Sequence, residues 1–351
     1  MIHYSCIGAT GYVCGEVLRM MVNHHEGELV NVLDTYGVGD AISTHHPALR
    51  GFYDQVIMDL TEENVRETAK KSDVIMIQVP SGDVAKWAEI VLAEDCAIID
   101  IGADIRFRDV DVWEKWYGQK HPDAKMTHDA VYCIPEVMRD LAKGKKLIAN
   151  PGCYPTASTL GLQPMLKAGH IVDNTIVIDA KSGYTGAGRR PALNKLLTEA
   201  ENNFCAYALG GGHRHTPEIE QTLSEVAGRQ MNVVFTPHLA PLTRGLLSTV
   251  YLEAADGVTA EDVQAAYEAR FANEPLVTVL PAGSMPSTSS VFGTARAQVG
   301  VALDARRRRT IIASCAIDNL GKGAAAQAVQ NANIVLGLPE LAGIDMPAPL
   351  V

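Results

Sequence analysis

Ile2-His3-Tyr4-Ser5-Cys6-Ile7 runs into Gly8-Ala9-Thr10-Gly11, and a helical stripe of Val17, Leu18, Met20, Met21 and Val22 follows. A second apolar run comes at Leu29–Leu33. Apolar run, glycine turn, periodic helix and apolar run together predict a β-α-β unit. In such a unit the turn lets backbone N–H groups approach a pyrophosphate at the helix N-terminus. The stretch supplies the first two glycines of a G-x-x-G-x-x-G pattern, while Cys14 stands at the third with Gly15 beside it. Asp34 ends the second apolar run and has no Arg or Lys next to it. An acid there hydrogen-bonds a ribose 2′-hydroxyl and repels a 2′-phosphate, so taken alone it favours NAD; a loop-capping role is the plainer alternative.

Further strands are expected at Val74–Val79 and Ala97–Ile101, with helices over Glu62–Lys70 and Asp83–Leu92 between them. Apolar strands alternating with helices predict a doubly wound α/β domain with a parallel sheet covered on both faces. After about residue 148 the pattern changes. Strands Thr175–Ala180, Gln230–Thr236, Leu247–Ala254, Ala295–Leu303 and Thr310–Ile317 arrive in series, beside helices over Pro191–Asn202, Pro217–Ala227 and Thr259–Phe271. Thr259, three residues before Asp262, is a capping signal. These elements predict an α+β domain with a largely antiparallel sheet. A last, small-residue-rich helix spans Ala324–Leu336 and is expected to pack back onto the first domain. The expected division is residues 1–149 with 319–351 for dinucleotide binding, and 150–318 for catalysis and oligomerisation.

The composition is globular: 351 residues, 47% hydrophobic, with a formal net charge of −11. That charge argues against a nucleic-acid or anionic-membrane surface. Arg306-Arg307-Arg308-Arg309 lies between two apolar segments and reads as a solvated hairpin turn. No stretch approaches the roughly 20 apolar residues of a membrane span. Met1–Cys6 has no signal-peptide pattern, so a cytoplasmic location is expected. Seven cysteines are scattered without a Cys-x-x-Cys pair, which indicates neither a zinc site nor a disulfide framework.

Ile148-Ala149-Asn150-Pro151-Gly152-Cys153-Tyr154-Pro155-Thr156 is the most informative stretch for chemistry. Pro151 and Gly152 force a turn, and Tyr154, Leu160, Leu162 and Met165 suggest a helix starting at once. Cys153 then sits at a helix N-terminus, where the macrodipole and unpaired N–H groups favour thiolate over thiol. The same N–H groups, with the Asn150 amide, suit a developing oxyanion. A buried structural cysteine is the bland alternative. A thiolate needs a proton partner, and Gly210-Gly211-Gly212-His213-Arg214-His215-Thr216-Pro217-Glu218 offers two histidines, an arginine and a carboxylate before a helix that Pro217 can open. One imidazole suits proton transfer, and Arg214 suits an anionic substrate. A metal site at the two histidines lacks acidic or thiol partners at suitable local spacing. Ser182-Gly183-Tyr184-Thr185-Gly186-Ala187-Gly188-Arg189-Arg190 has the donors and flexibility to contact phosphate or cofactor. His238 and Arg244 are further candidates for lining the cleft, with structural roles as the alternative.

Taken together, the chain resembles the N-acetyl-γ-glutamyl-phosphate reductase family, relatives of aspartate-semialdehyde dehydrogenase. The resemblance rests on Ala149–Thr156 followed by Gly161-Leu162-Gln163-Pro164, and on His213–Ile219. It is supported by Asp100–Arg106, Tyr132–Glu136, Ser182–Arg189 and Asp318–Ala325, all in order along the chain. It implies a Rossmann domain closed by the C-terminal helix, an α+β catalytic and oligomerisation domain, and a homodimer or homotetramer. It also implies NADP and an acyl-phosphate substrate of arginine biosynthesis, attacked by Cys153 to give a thioester. His215 is the implied acid/base, with His213 close behind and Asn150 assisting; Ser182, Arg214 and Glu218 are candidate substrate contacts. Gly8, Thr10, Gly11, Tyr12, Asp34, Pro80, Ser81, Gly183, Gly186 and Asn319 are candidate cofactor contacts. Cys14 and Asp34 depart from the family pattern, and Asp34 keeps NAD open beside NADP. An aspartyl or carrier-bound glutamyl or aminoadipyl phosphate, or a non-catalytic dinucleotide sensor, are the competing functions.

Overall fold

A computed structural model describes residues 1–172, 176–304, 306 and 309–350. Thr175 of the first expected strand of the second half, and Arg307 and Arg308 of the arginine turn, lie outside the described residues. The chain separates into two units, Met1–Pro151 with Ala324–Asp345, and Gly152–Gly323 with the last residues from Met346.

In the first unit the described residues form a seven-stranded sheet in the order β3-β2-β1-β4-β5-β7-β6. Its strands are β1 (Ile2–Ile7), β2 (Gly27–Asp34), β3 (Ile57–Asp59), β4 (Val74–Ile77), β5 (Ala97–Asp100), β6 (Val131–Tyr132) and β7 (Leu147–Ala149). All pairings are parallel. β4 and β5 are buried at every position, as strands covered on both faces must be. The order reverses between β1 and β4, so both strands end at the switch point of a Rossmann-like sheet. The helices are α1 (Tyr12–Met21), α2 (Ile42–His45), α3 (Glu62–Ala69), α4 (Val84–Ala93), α5 (Val110–Tyr117), α6 (Ala124–Asp129) and α7 (Pro135–Ala142). The C-terminal helix Ala326–Val335, entered through a π turn at Gly321–Ala325, is buried along most of its length. It packs on α1, α7 and β5, and its Asn331 amide donates to the Asn150 side-chain oxygen at 3.0 Å.

The second unit opens with α8 (Cys153–Ala168), buried from Tyr154 through Met165. Its sheet has the order β12-β13-β14-β11-β8-β10-β9 among the described residues. The strands are β8 (Ile176–Ser182), β9 (Cys205–Ala206), β10 (Val233–Leu239), β11 (Leu246–Glu253), β12 (Val277–Val279), β13 (Ala297–Asp304) and β14 (Thr310–Ile317). β8–β10 and β12–β13 pair in parallel and the other neighbours antiparallel, giving a mixed, largely antiparallel sheet. β8 alternates buried and half-exposed residues, and α8 lies against β11 and β14. α11 (Ala260–Phe271) carries the expected start: the Thr259 side chain and the Asp262 carboxylate cap each other's backbone N–H.

Two expectations are corrected. The helix expected over Pro191–Asn202 is a 3₁₀ turn at Leu193–Lys195 and a short α9 (Leu197–Ala200), broken where Leu196 is extended. Leu193, Leu196 and Leu197 are exposed, so this segment buries no apolar face to stabilise a longer helix. α10 (His215–Ala227) starts two residues before Pro217. The His213 ring supplies the reason: its Nδ1 accepts the His215 N–H at 3.0 Å and so caps the added turn.

Candidate active site

The glycine turn of the first unit is held by its own backbone. Gly8 and Ala9 N–H groups both donate to Leu33 O, and Gly11 N–H donates to Gly8 O. Gly8 is at φ +91°, and a Cβ there would stand 2.1 Å from the Gln78 carbonyl oxygen, so only glycine fits. Asp34 accepts the Thr10 N–H and hydroxyl on one oxygen, both at 2.8 Å, and the Thr35 and Tyr36 N–H groups on the other. These four bonds fill the lone-pair sites of a carboxylate. Asp34 therefore ties the turn to the end of β2, the loop-capping alternative. α1 follows from Gly11 with no side-chain cap among the described residues, which leaves its N-terminus suited to an anion. The first-turn residues are Tyr12, Val13 and Cys14. Cys14 is buried, and a hydrogen bond with Cys6, then burial, push its thiol well above the usual range. A Cβ on Gly15 would lie 2.4 Å from the His46 ring, which donates to Ala9 O and braces the turn.

Pro80 and Ser81 lie just beyond β4, in the same unit. Asp104 fixes this loop by accepting the Gly82 and Val84 N–H groups, capping α4. Asp100, at the end of β5, is fully buried; burial first, and then Asp104, raise its carboxyl to about 7 against the pull of Arg106. Arg106 is buried and donates to the carbonyls of Asn150 and Ile101. The Asn150 side chain is also enclosed, donating to Ala324 O at 3.1 Å. Asn150 thus stands in a network that sets the chain path toward Pro151.

In the second unit Cys153 is the first residue of α8, with Gly152 extended before it and no side-chain cap among the described residues. Its side chain is half-buried. The Gly152 N–H donates to Glu218 Oε1 at 2.8 Å. Glu218 is buried in the first turn of α10, three residues after His215, so both project from one face of that helix. This bond ties the start of α8, where Cys153 stands, to the first turn of α10, which His215 opens. Glu218 holds the backbone through this one oxygen. Arg214, the N-cap of α10, is exposed. Gly323 closes on Cys153 from behind: a Cβ on it would stand 2.7 Å from the cysteine Cβ.

The two histidines differ. His213 is enclosed by Tyr154, Tyr207 and Phe235, with ring centroids at 5.4 to 5.5 Å, and its Nε2 meets the Tyr207 hydroxyl at 3.2 Å. Burial, then the neighbouring His215, lower its pKa to about 3. His215 lies 4.9 Å from the His213 ring and 5.9 Å from Tyr154. Among the described residues no group of three or more His, Cys, Asp or Glu is arranged to hold a metal.

Ser182, Gly183, Gly186 and Asn319 come together in the second unit. Asn319 is buried and uses both ends of its amide, accepting Gly245 N–H and donating to Thr185 Oγ1. A Cβ on Gly183 would lie 2.8 Å from Leu242 O. A Cβ on Gly186 would lie 3.3 Å from Ser182 Oγ. Arg244 pairs with the buried Asp318, and the Asp318 carbonyl accepts Gly323 N–H, linking this loop cluster to Cys153. His238 turns its ring to Asp179 and Phe204 and its carbonyl to Tyr154. Tyr154, Tyr207, His46 and Gly323 carried no distinct role in the sequence. Tyr207 sits beside a two-residue strand, too short to show a period.

Residues 5–145 match the semialdehyde dehydrogenase NAD-binding domain, and residues 153–319 the semialdehyde dehydrogenase dimerisation domain. The N-acetyl-γ-glutamyl-phosphate reductase of Moorella thermoacetica is 41% identical, covering 99% of each chain. The protein of that name from Geobacter sulfurreducens is 43% identical over 98% of each. Among solved structures, aspartate semialdehyde dehydrogenase II of Vibrio cholerae superposes with a TM-score of 0.73 over 96% of this chain and 98% of that one, at 17% identity. That likeness speaks for the fold; the curated relatives speak for the family. By sequence along its whole length, and by both domain matches, the chain belongs to the N-acetyl-γ-glutamyl-phosphate reductase family of semialdehyde dehydrogenases.

Proposed function

We propose that this enzyme reduces N-acetyl-γ-glutamyl phosphate to N-acetylglutamate semialdehyde and phosphate, using NADPH and a Cys153 thioester, in arginine biosynthesis. The observation that carries the reading is the bond of Gly152 N–H to Glu218, which ties the helix start at Cys153 to the first turn of α10, opened by His215. The helix dipole and first-turn donors favour the thiolate. His215 takes the thiol proton. The thiolate attacks the acyl carbon, the oxyanion is met by donors at the start of α8, and phosphate leaves with the bonding electron pair. Asn150 and Glu218 hold the backbone for this step, Arg214 and Ser182 are the substrate contacts, and Pro80 and Ser81 join the turn in holding the cofactor.

The glycine turn fits a dinucleotide: a Cβ at Gly8 is excluded, and α1 starts without a side-chain cap. Gly8, Thr10 and Gly11 would shape the turn around its pyrophosphate, which the start of α1 at Tyr12 would meet, and the nicotinamide, when bound, would supply the hydride that reduces the acyl group. Asp34, already saturated by Thr10, Thr35 and Tyr36, loses its force as an argument for NAD, and NADP follows the family. The match to a dimerisation domain supports a homodimer or homotetramer. Among the described residues no helix is long and apolar enough to cross a membrane, in keeping with a cytoplasmic enzyme.

The test is phosphate-dependent oxidation of N-acetylglutamate semialdehyde with NADP and NAD in parallel, for wild type and Cys153→Ser. The expected result is a phosphate requirement, NADP preferred, and a loss of about a thousandfold or more in the variant. A variant within tenfold of wild type rejects the thioester. An inactive wild type that still binds dinucleotide moves the substrate to another acyl phosphate.

A further inference from the structure

We propose that Tyr207 is a positioning residue for this reaction, fixing the protonation pattern of His213 and, through it, the first turn of α10 that carries His215. The proposal rests on the thioester reading above. Five groups, joined by four hydrogen bonds, form a chain whose ends leave no choice of direction. At one end the His215 backbone N–H can only donate, and it donates to His213 Nδ1 at 3.0 Å. At the other end the His238 carbonyl can only accept, and it accepts the Tyr154 hydroxyl at 3.2 Å. Between them Tyr207 donates to Tyr154 Oη at 3.2 Å, and Tyr207 Oη lies 3.2 Å from His213 Nε2.

Because Nδ1 is an acceptor, a neutral His213 must carry its hydrogen on Nε2. With the Tyr207 proton committed to Tyr154, the Tyr207 oxygen accepts that Nε2 hydrogen. Every donor then meets one acceptor, in one direction, from α10 to β10. A protonated His213 would turn an N–H against the His215 N–H and break the chain at its first link. The enclosure of His213 by three aromatic rings favours the same neutral state. Tyr207 itself is anchored by main-chain bonds: its N–H donates to Pro237 O, next to the β9–β10 pairing of Ala206 with His238. β10, β9 and α8 thereby converge on the turn before α10. His213 serves as the acceptor that holds His215 in place, while His215 handles the proton.

Tyr207→Phe removes one hydroxyl, keeps the ring against His213, and leaves His213 Nε2–H without its acceptor. His213→Asn keeps an acceptor near the Nδ1 position and loses the reach to Tyr207. The measurements are kcat and KM for the phosphate-dependent oxidation, the melting temperature, and the pH dependence of Cys153 alkylation by iodoacetamide, followed on the Cys153 peptide. Tyr207→Phe should lower kcat by about 10- to 100-fold, the scale of a small misplacement of a reacting group, with KM within about threefold. Its alkylation profile should move toward that of His215→Asn. The Tyr207→Phe/His213→Asn pair should be no worse than the more impaired single variant, because both cut one chain. Three outcomes overturn the proposal: kcat within threefold of wild type, additive losses that follow melting temperature, or a His213→Asn variant as inactive as His215→Asn, which would make His213 the acid/base. Alkylation needs no turnover, so the relay is still tested if Cys153→Ser shows the thioester reading to be wrong.

Discussion

Two helices of this chain start on nearly the same backbone and are put to different uses. Gly11 precedes α1 at φ −74°, ψ 155°, and Gly152 precedes α8 at φ −72°, ψ 161°. Both helices therefore begin with main-chain donors and a positive dipole end, which favour negative charge. The difference lies in what has been fastened around them. Before α1, Asp34 and the carbonyls of Leu33 and Gly8 take up the donors of the turn. What remains is a rigid rim, which the proposed function gives to the cofactor pyrophosphate. Before α8, the Gly152 N–H is tied to a carboxylate of another helix, and the first side chain is that of Cys153. Under the proposed function, equal local geometry serves a binding site in one unit and a nucleophile in the other, according to which side chain follows the glycine.

The comparison breaks first at Gly8. Gly8→Ala places a Cβ against the Gln78 carbonyl from a left-handed conformation, and both the overlap and the conformation oppose it. Dinucleotide binding should fall below detection by calorimetric titration, with a lower melting temperature, while the iodoacetamide reactivity of Cys153 stays within twofold. Wild-type affinity in this variant would remove the turn from the cofactor site. The mirror experiment is Gly323→Ala, which crowds the Cys153 Cβ. It should lower kcat about 100-fold and leave dinucleotide affinity within twofold. An equal loss in both quantities would mean that the two helix starts are not separable.

Asp34→Ser gives a smaller effect and a sharper distinction. The variant opens two hydrogen bonds between the turn and β2, and two more to the residues just after β2, without adding a positive charge. KM should rise about tenfold for NADP and for NAD alike, consistent with charged hydrogen bonds worth roughly 1.5–3 kcal/mol each and partly replaced by water. The ratio of the two kcat/KM values should change less than threefold. A shift of the ratio toward NADP by more than tenfold would return Asp34 to direct recognition of the ribose.

The comparison also explains what was legible in the sequence. Long apolar runs and punctuating glycines made β1, α1, β2, β4 and β5 readable, and Pro151-Gly152 marked the start of α8, because those signals are local. β3, β6 and β9 hold two or three residues each and have no period to read. The Pro191–Asn202 segment carries helix-forming residues, yet its leucines find nothing to bury against within the chain. Cys153, His213 and His215 stood out as residue types in suggestive places. The division of labour proposed for the two histidines was not readable, since it rests on Tyr207 and Phe235 meeting His213 from distant positions. Asp34 differs in kind. Its position suggested a ligand contact, and the four donors from Thr10, Thr35 and Tyr36 around it could not be read from the sequence.

The least dramatic expectation concerns acid. His213 is neutral in the folded chain down to about pH 3, because burial and the adjacent His215 oppose its protonation. In the unfolded chain a histidine takes up its proton near 6.5. A group whose pKa is lowered by folding contributes stability above its unfolded pKa and loses it as the pH falls toward the folded value, since protons bind the unfolded chain first. Wild type should therefore lose melting temperature between about pH 6.5 and 4, on top of the change common to all variants. His213→Asn, with nothing to protonate at that position, should show a shallower decline over the same window, by a few degrees. Parallel curves would mean that His213 is protonated in the folded protein at moderate pH. The chain from His215 to His238 could not then run in one direction, and the contrast between a silent and a working histidine would have to be given up.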